Sequence, residues 1–353
     1  MSELQRIVSK RTAGQSTYEI LRELPKIDLH RHMEGSLRLE TLAEVAREHG
    51  VDLPTYNIEE LRPYVQVTDD APDFYNFLGK MELLRRFYSA GEAVDRIAYE
   101  AVADAAADRV EYLELRVSPA GKHLSPQEVM ENVCRGAGRA ARECGIQVRL
   151  LVTVIREFGV KTAEEVLDLA LAFRENGVVG LDLAGHEETH PATPFAAVFQ
   201  RARGSGLHVT IHAGEIGGSW NVREAVELLG AERVGHGVRA AEDAAVMRLL
   251  KQRGITLEVC PTSNIQTGVT PTFTQHPLRR LYAAGIPVTI NTDDPSVSDT
   301  TLSDEYVVAA STMGLTVKDV QLMILNAARA AFVDKDEREA LEKHFQNLFR
   351  SAM

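Results

Sequence analysis

The chain has 353 residues, of which 44% are hydrophobic and 25% charged, the composition of an ordinary soluble globular protein. A formal net charge of −12 excludes the basic footprint that nucleic acids and anionic membranes require. No apolar run approaches the roughly 20 residues of a membrane helix, so neither nucleic acid nor membrane is an expected partner.

The polar opening, MSELQRIVSKRTAGQ, lacks the apolar centre of a secretory signal. Cys134, Cys144 and Cys260 are odd in number and far apart, which predicts reduced thiols and a cytoplasmic location. The first β-rich run, KIDLHRHM (26–33), ends on His30 and His32. Side chains two apart share one strand face, so both imidazoles can reach one metal. Alone, the pair reads more readily as a hydrogen-bonded structural feature than as a metal site. The spacer from about 34 to 109 is too long for one helix and predicts extra helices.

Further runs follow at VEYLELRVS (110–118), IQVRLLVTVI (146–155), VVGLDLAG (178–185) and HVTIHAGE (208–215). The last three are VGHGV (234–238), TLEVCPTS (256–263) and PVTINTDD (287–294). Between them, segments such as TAEEVLDLALAFRENG space their apolar residues three and four apart and stop at Gly. Residues from 301 onward read as terminal helices. Strand-then-helix repeated eight times predicts an α/β fold, a (β/α)8 TIM barrel forming one domain over 1–353. The extra helices would cap its C-terminal mouth.

The polar residues then form a pattern. His30 and His32 close the first strand, His212 and Glu215 the fifth, and Asp293 and Asp294 the eighth, while His236 lies in the sixth. All fall toward the strand ends where barrel enzymes hold their chemistry. His30, His32, His212 and Asp293 offer three nitrogens and one carboxylate, a set suited to zinc with room for water. Glu215 can face the same cavity as a proton donor. His236, between Gly235 and Gly237, reads alone as a core histidine. Adjacent Asp293 and Asp294 point to different sides, so only one of them binds metal.

Two other metal chemistries fail on the sequence. HME at 32–34 matches half of the cytidine-deaminase pattern, but no Cys-x-x-Cys follows. Binuclear barrel hydrolases usually carry a bridging lysine at the end of strand four, and VVGLDLAG has none. One metal is expected.

In DLHRHMEGS, YLELRVSP, GLDLAG, HAGE, RVGHGV, CPTSNIQTG, HPL and INTDDP the chain resembles the adenosine deaminase family of metal-dependent barrel hydrolases. These blocks keep family order from residue 25 to about 306, and CPTSNIQTG looks more like the adenosine branch than the adenine branch. The resemblance implies one divalent ion, most often zinc, on His30, His32, His212 and Asp293. Glu215 would protonate N1 of a purine, while Asp294 would hydrogen-bond with N7 and touch the attacking water. His236 would orient and deprotonate that water. The Gly185 backbone would face N3, with Phe77 and Leu78 of a lid helix (NFLGKM, 76–81) toward the substrate. His32, Glu34 and Asp294 would line the substrate pocket as well.

The implied reaction is hydrolytic deamination of adenosine or 2′-deoxyadenosine to the inosine product plus ammonia. Adenine or a modified nucleoside such as aminofutalosine is the alternative substrate. A non-catalytic nucleoside-binding barrel would have lost some of these residues, and all are present. Three positions depart from the family. Glu34 stands where many members carry Asp for the ribose 5′-hydroxyl, His186 replaces an acid after DLAG, and Met81 replaces a lid aromatic. All three are expected around the part of the substrate that does not react.

Overall fold

The computed structural model describes residues 15–68, 70–120 and 123–351. Eight parallel strands run in sequence order: β1 Lys26–His32, β2 Val110–Val117, β3 Gln147–Ile155, β4 Val178–Ala184, β5 His208–Ala213, β6 Arg233–His236, β7 Thr256–Val259 and β8 Val288–Ile290. Each pairs with its successor. The Asp293 N–H donates to the His30 carbonyl and the His32 N–H to the Asp293 carbonyl, both at 2.8 Å. That bridge returns the chain after β8 to β1, giving a nearly closed (β/α)8 TIM barrel.

Alternation along the strands explains what fills it. Leu113, Leu115 and Val117 of β2 and Leu181 and Leu183 of β4 enter the hydrophobic core. The residues between them are charged: Glu114, Arg116 and Asp182. Arg116 pairs with Asp182 at 3.3 Å and also with Glu258, while Arg233 pairs with Glu258 at 2.6 Å and with Glu114. These side chains are essentially solvent-free. Removing one partner from such a lattice strands a buried charge, at about 3–5 kcal/mol. The sequence reading did not single out these charges, although an acid and a base two apart in an apolar strand is the visible sign.

Several strands stop earlier than the sequence predicts, and at β5, β7 and β8 this shapes the site. Pro261 sits in the first turn of a helix, Pro261–Gln266, so β7 ends at Val259 and Thr262 and Ser263 are helical. Asp293 adopts a left-handed φ of 63°, which no regular strand accommodates, and β8 ends at Ile290. Glu215 likewise lies beyond β5, after Gly214 at φ 69°. The acids therefore stand on loops just past the strand ends.

The long spacer holds helices Leu39–His49, Ile58–Val65, Phe74–Leu84 and Gly91–Ala107. Asp73 caps Phe74–Leu84 by accepting from the Asn76 N–H at 2.7 Å, and its own N–H donates to the Gln266 carbonyl at 3.0 Å. The terminal helices are Leu302–Thr312, Val317–Ala330 and Lys335–Ser351. A helix at Gln15–Glu23, not expected from the sequence, packs on the first two of them. Among the described residues no helix is long and apolar enough to cross a membrane.

Glu305, on Leu302–Thr312, is fully buried and accepts from the Thr262 N–H at 3.1 Å and the Thr300 hydroxyl at 3.2 Å. Burial pushes its carboxyl from 4.5 up to about 8. The folded chain thus keeps a proton that the unfolded chain releases. The associated stability is complete below pH 4.5 and is lost as pH rises through about 8. Glu305→Gln is expected to raise Tm by several degrees at pH 8 and to leave it nearly unchanged at pH 4.5. Equal shifts at both pH values in thermal unfolding would exclude this origin.

Candidate active site

Four side chains meet at the C-terminal end of the barrel. His30 and His32 come from β1, His212 from β5 and Asp293 from the loop after β8, and one ligand atom from each lies within 4.8 Å of all the others. His30 Nε2 is 3.2 Å and His32 Nε2 3.5 Å from Asp293 Oδ1. His32 Nε2 and His212 Nε2 face each other at 3.2 Å.

The far side of each ring decides what those nitrogens carry. His30 Nδ1 lies 2.9 Å from Glu258 Oε2, and His212 Nδ1 lies 3.0 Å from Asp182 Oδ1. A carboxylate accepts only, so both Nδ1 atoms are donors, and in the neutral rings each Nε2 is left to offer a lone pair inward to a cation. Burial pulls His32 and His212 below the usual histidine range, partly offset by Asp293 and Asp182 respectively, so both are neutral. Lone pairs converging on a carboxylate oxygen repel unless a cation lies between them. His30 Nε2, moreover, is buried without a hydrogen-bond partner. The donor set fits one divalent ion on His30, His32, His212 and Asp293. A second grouping exchanges His32 and His212 for His236 and Cys260. Burial raises the Cys260 thiol well above its usual range, and its S–H donates to the Glu258 carbonyl, which leaves no thiolate for a metal.

Beside this set stand three more buried titratable groups, Glu215, Asp294 and His236. Glu215 is 8% exposed, and burial, then Asp293 and Glu187, push its carboxyl well above the ordinary range. It is held as an acid. Its backbone is fixed by Glu187, which accepts from the Gly214 N–H at 2.7 Å and the Glu215 N–H at 2.9 Å. Arg156 ties the same loop by donating to the His212 carbonyl at 2.8 Å. The sequence reading missed both, although Glu187 stands only two residues after the GLDLAG block.

Asp294 is buried with Oδ1 unpartnered, and burial, Asp293, Glu34 and Glu215 raise it. A Cβ on Gly35 would collide with its carboxylate, so glycine is required there. His236 ends β6 with a left-handed φ of 56°, a conformation non-glycine residues rarely hold outside functional sites. Its Nε2 lies 3.6 Å from Glu215 Oε2 and 3.9 Å from Asp293 Oδ2.

These groups wall a cavity of about 590 Å³ whose apolar side comes from the lid helix Phe74–Leu84. Phe77, Leu78 and Met81 line it, as do His32, Glu34 and Gly185. Gly185 has φ 110°, and a side chain there would strike Glu157. Glu34 does two things at once. Its Oε1 accepts from the Ser118 N–H at 2.7 Å, while Oε2 is buried with no partner.

His186 corrects an expectation: it is not part of the cavity lining. Its Nδ1 accepts from the Thr189 N–H at 3.2 Å, and its Nε2 lies 2.6 Å from the Tyr75 hydroxyl. With Nδ1 accepting, His186 meets the Tyr75 hydroxyl through Nε2 and tethers the helix Phe74–Leu84 to the loop after β4.

The adenosine deaminase family model matches residues 25–347. The chain belongs to the adenosine deaminase family. It is 40% identical over 322 residues to an adenosine deaminase from Klebsiella pneumoniae subsp. pneumoniae, covering 90% of this chain and 96% of that one. Among solved structures, adenine deaminase from Arthrobacter aurescens superposes with TM-score 0.85 at 26% identity, over 93% of this chain and 99% of that one. An amidohydrolase from Burkholderia ambifaria, solved with bound Zn, gives 0.86 at 27% identity over 95% and 93%. An N6-mAMP deaminase from Arabidopsis gives 0.83 at 31% identity over 93% and 99%. Family membership makes this chain an aminohydrolase with a metal-dependent barrel.

Proposed function

We propose that the chain hydrolyses adenosine and 2′-deoxyadenosine to inosine and 2′-deoxyinosine, releasing ammonia, with one zinc ion per chain on His30, His32, His212 and Asp293. The observation that carries this reading is a carboxylic acid held protonated, Glu215, beside four converging metal donors on the wall of a lidded, largely apolar cavity. The likeness to adenosine deaminases at 40% identity points to the nucleoside.

A purine C6 resists water because attack interrupts the aromatic ring. Glu215 lowers that barrier by protonating N1, which needs an acid still protonated near neutral pH. The ion, when bound, supplies the Lewis acidity that makes water nucleophilic at that pH. With the ion bound, its charge would hold Asp294 as a carboxylate against the raising effect of its acidic neighbours. As the oxygen–C6 bond forms, Asp294 takes the water's proton and passes it to the amino nitrogen, which departs as ammonia while the new hydroxyl returns a proton to Glu215. The Gly185 backbone at N3 orients the base, and Phe77, Leu78 and Met81 exclude bulk water from its face. His236 holds the attacking water.

Glu34 addresses the sugar. Its Oε2 makes no close hydrogen bond, although the Tyr88 hydroxyl and Arg85 lie near the carboxylate, and a substrate hydroxyl would supply one. A buried acceptor left unpaired costs roughly 1–3 kcal/mol. Glu34→Gln keeps the Ser118 contact but presents N–H where the hydroxyl needs an acceptor. Its kcat/KM for nucleosides is expected to fall roughly ten- to a hundredfold with metal content unchanged. Adenine, lacking the sugar, should show no comparable loss. An equal drop for nucleoside and base would assign Glu34 to the loop alone.

Substrate choice is tested by a deamination screen of the metal-replete protein over adenosine, 2′-deoxyadenosine, adenine, N6-methyl-AMP and aminofutalosine, read by loss of the substrate absorbance. Adenosine or deoxyadenosine is expected to be consumed with the highest kcat/KM. A higher value for another purine would move the substrate, and no turnover of any would overturn the reading.

A further inference from the structure

Behind His236 runs a buried chain of hydrogen bonds that begins at an unambiguous donor. The Leu278 backbone N–H donates to His276 Nδ1 at 3.1 Å, so that nitrogen holds a lone pair. Neutral His276 then carries its proton on Nε2, which donates to Asn264 Oδ1 at 3.2 Å. The amide is thereby oriented, with oxygen toward His276 and Nδ2 toward His236 Nδ1, 3.1 Å away. An amide nitrogen offers only a donor, so His236 Nδ1 accepts. The one proton of a neutral His236 therefore sits on Nε2, the nitrogen facing Glu215 and Asp293.

Both groups are shut away from solvent. Asn264 is fully buried and His276 is 5% exposed. Burial brings His276 down to about 3, so it stays neutral at working pH and keeps its direction as a donor.

We propose that Asn264 and His276 are positioning residues that fix His236 as the Nε2–H tautomer, so that a donor rather than a lone pair faces the reacting centre. That N–H binds the attacking water through its oxygen and stabilises the charge that builds there as the bond to C6 forms, like any preorganised donor aimed at a developing oxyanion. It has no lone pair at Nε2 with which to take the water's proton, and this agrees with Asp294 as the acceptor. Deprotonation by His236, which the family resemblance implied, would need the opposite tautomer. The catalytic consequence rests on the deamination reading, whereas the tautomer rests on the hydrogen bonds alone.

Neutron diffraction from the deuterated, zinc-loaded protein tests the tautomer. Deuterium is expected on His236 Nε2 and not on Nδ1; deuterium on Nδ1, or on both, overturns the assignment whatever the substrate. Kinetics test the consequence. Asn264→Asp replaces the donor by a carboxylate, which draws the His236 proton to Nδ1 and leaves a lone pair on Nε2. Its kcat is expected to fall roughly 10²-fold, with KM little changed and metal retained. His276→Gln, whose amide still donates to Asn264, should keep most of the activity. If Asn264→Asp does not fold, His276→Leu frees the amide to turn, and the same loss is expected. A correctly loaded variant of either kind as fast as the wild type overturns the role. Wild-type protein that consumes no purine overturns the deamination reading instead and leaves the tautomer to the neutron map.

Discussion

Asp293→Ala and His212→Ala are each expected to release the metal and reduce deamination to background. Elemental analysis of the wild-type chain should find about one divalent ion, because the four donors converge on one point. The expectation follows from how the donors are prepared. Glu258 and Asp182 turn the lone pairs of His30 and His212 inward, and His32 Nε2 meets His212 Nε2 at 3.2 Å. Removing Asp293 takes away the only anion among them, and removing His212 opens the nitrogen cluster. A chelator should reproduce both effects in the wild type, with recovery on adding zinc. Two tightly held ions per chain, or full metal content in either variant, would contradict the single site.

Glu215→Gln is expected to separate chemistry from assembly. The variant should fold, hold its ion and bind substrate, yet lose most of its turnover. An amide cannot protonate N1, and a general acid is typically worth 10²–10⁴-fold. The replacement is nearly isosteric and neutral, like the protonated acid it replaces, so the packing against Gly214 and Glu187 survives. Burial, with Asp293 and Glu187 nearby, keeps the wild-type group in its acid form. Activity within tenfold of the wild type, at equal metal content, would remove Glu215 from the mechanism.

Much of this was legible before any coordinates. The period-two apolar runs and the period-3.6 segments between them are local patterns, and eight repeats leave little choice but a barrel. Once the runs were strands, the placing of His30, His32, His212, His236 and the three acids at their C-terminal ends followed from counting. The misplacements were local too. TLEVCPTS reads as one strand, yet Pro261 starts a helix inside it. PVTINTDD reads as strand to its end, yet Asp293 leaves the ladder at positive φ. Pattern alone does not register a backbone held by a distant partner, and here that partner is His30, whose carbonyl takes the Asp293 N–H.

His186 shows the same limit from another side. Its place after GLDLAG suggested a substrate-facing residue, and the structure gives it to Tyr75, 111 positions away. Local sequence determined which elements form and which chemical groups stand at their ends, because propensity and periodicity act over a few residues. Tertiary structure decided what each group carries. The tautomers of His30, His212 and His236 come from Glu258, Asp182 and Asn264, and the protonation of Glu215 comes from its burial near Asp293 and Glu187. Those neighbours are brought together only by closing the barrel, and a proton goes where its hydrogen-bond partners and the loss of solvent put it.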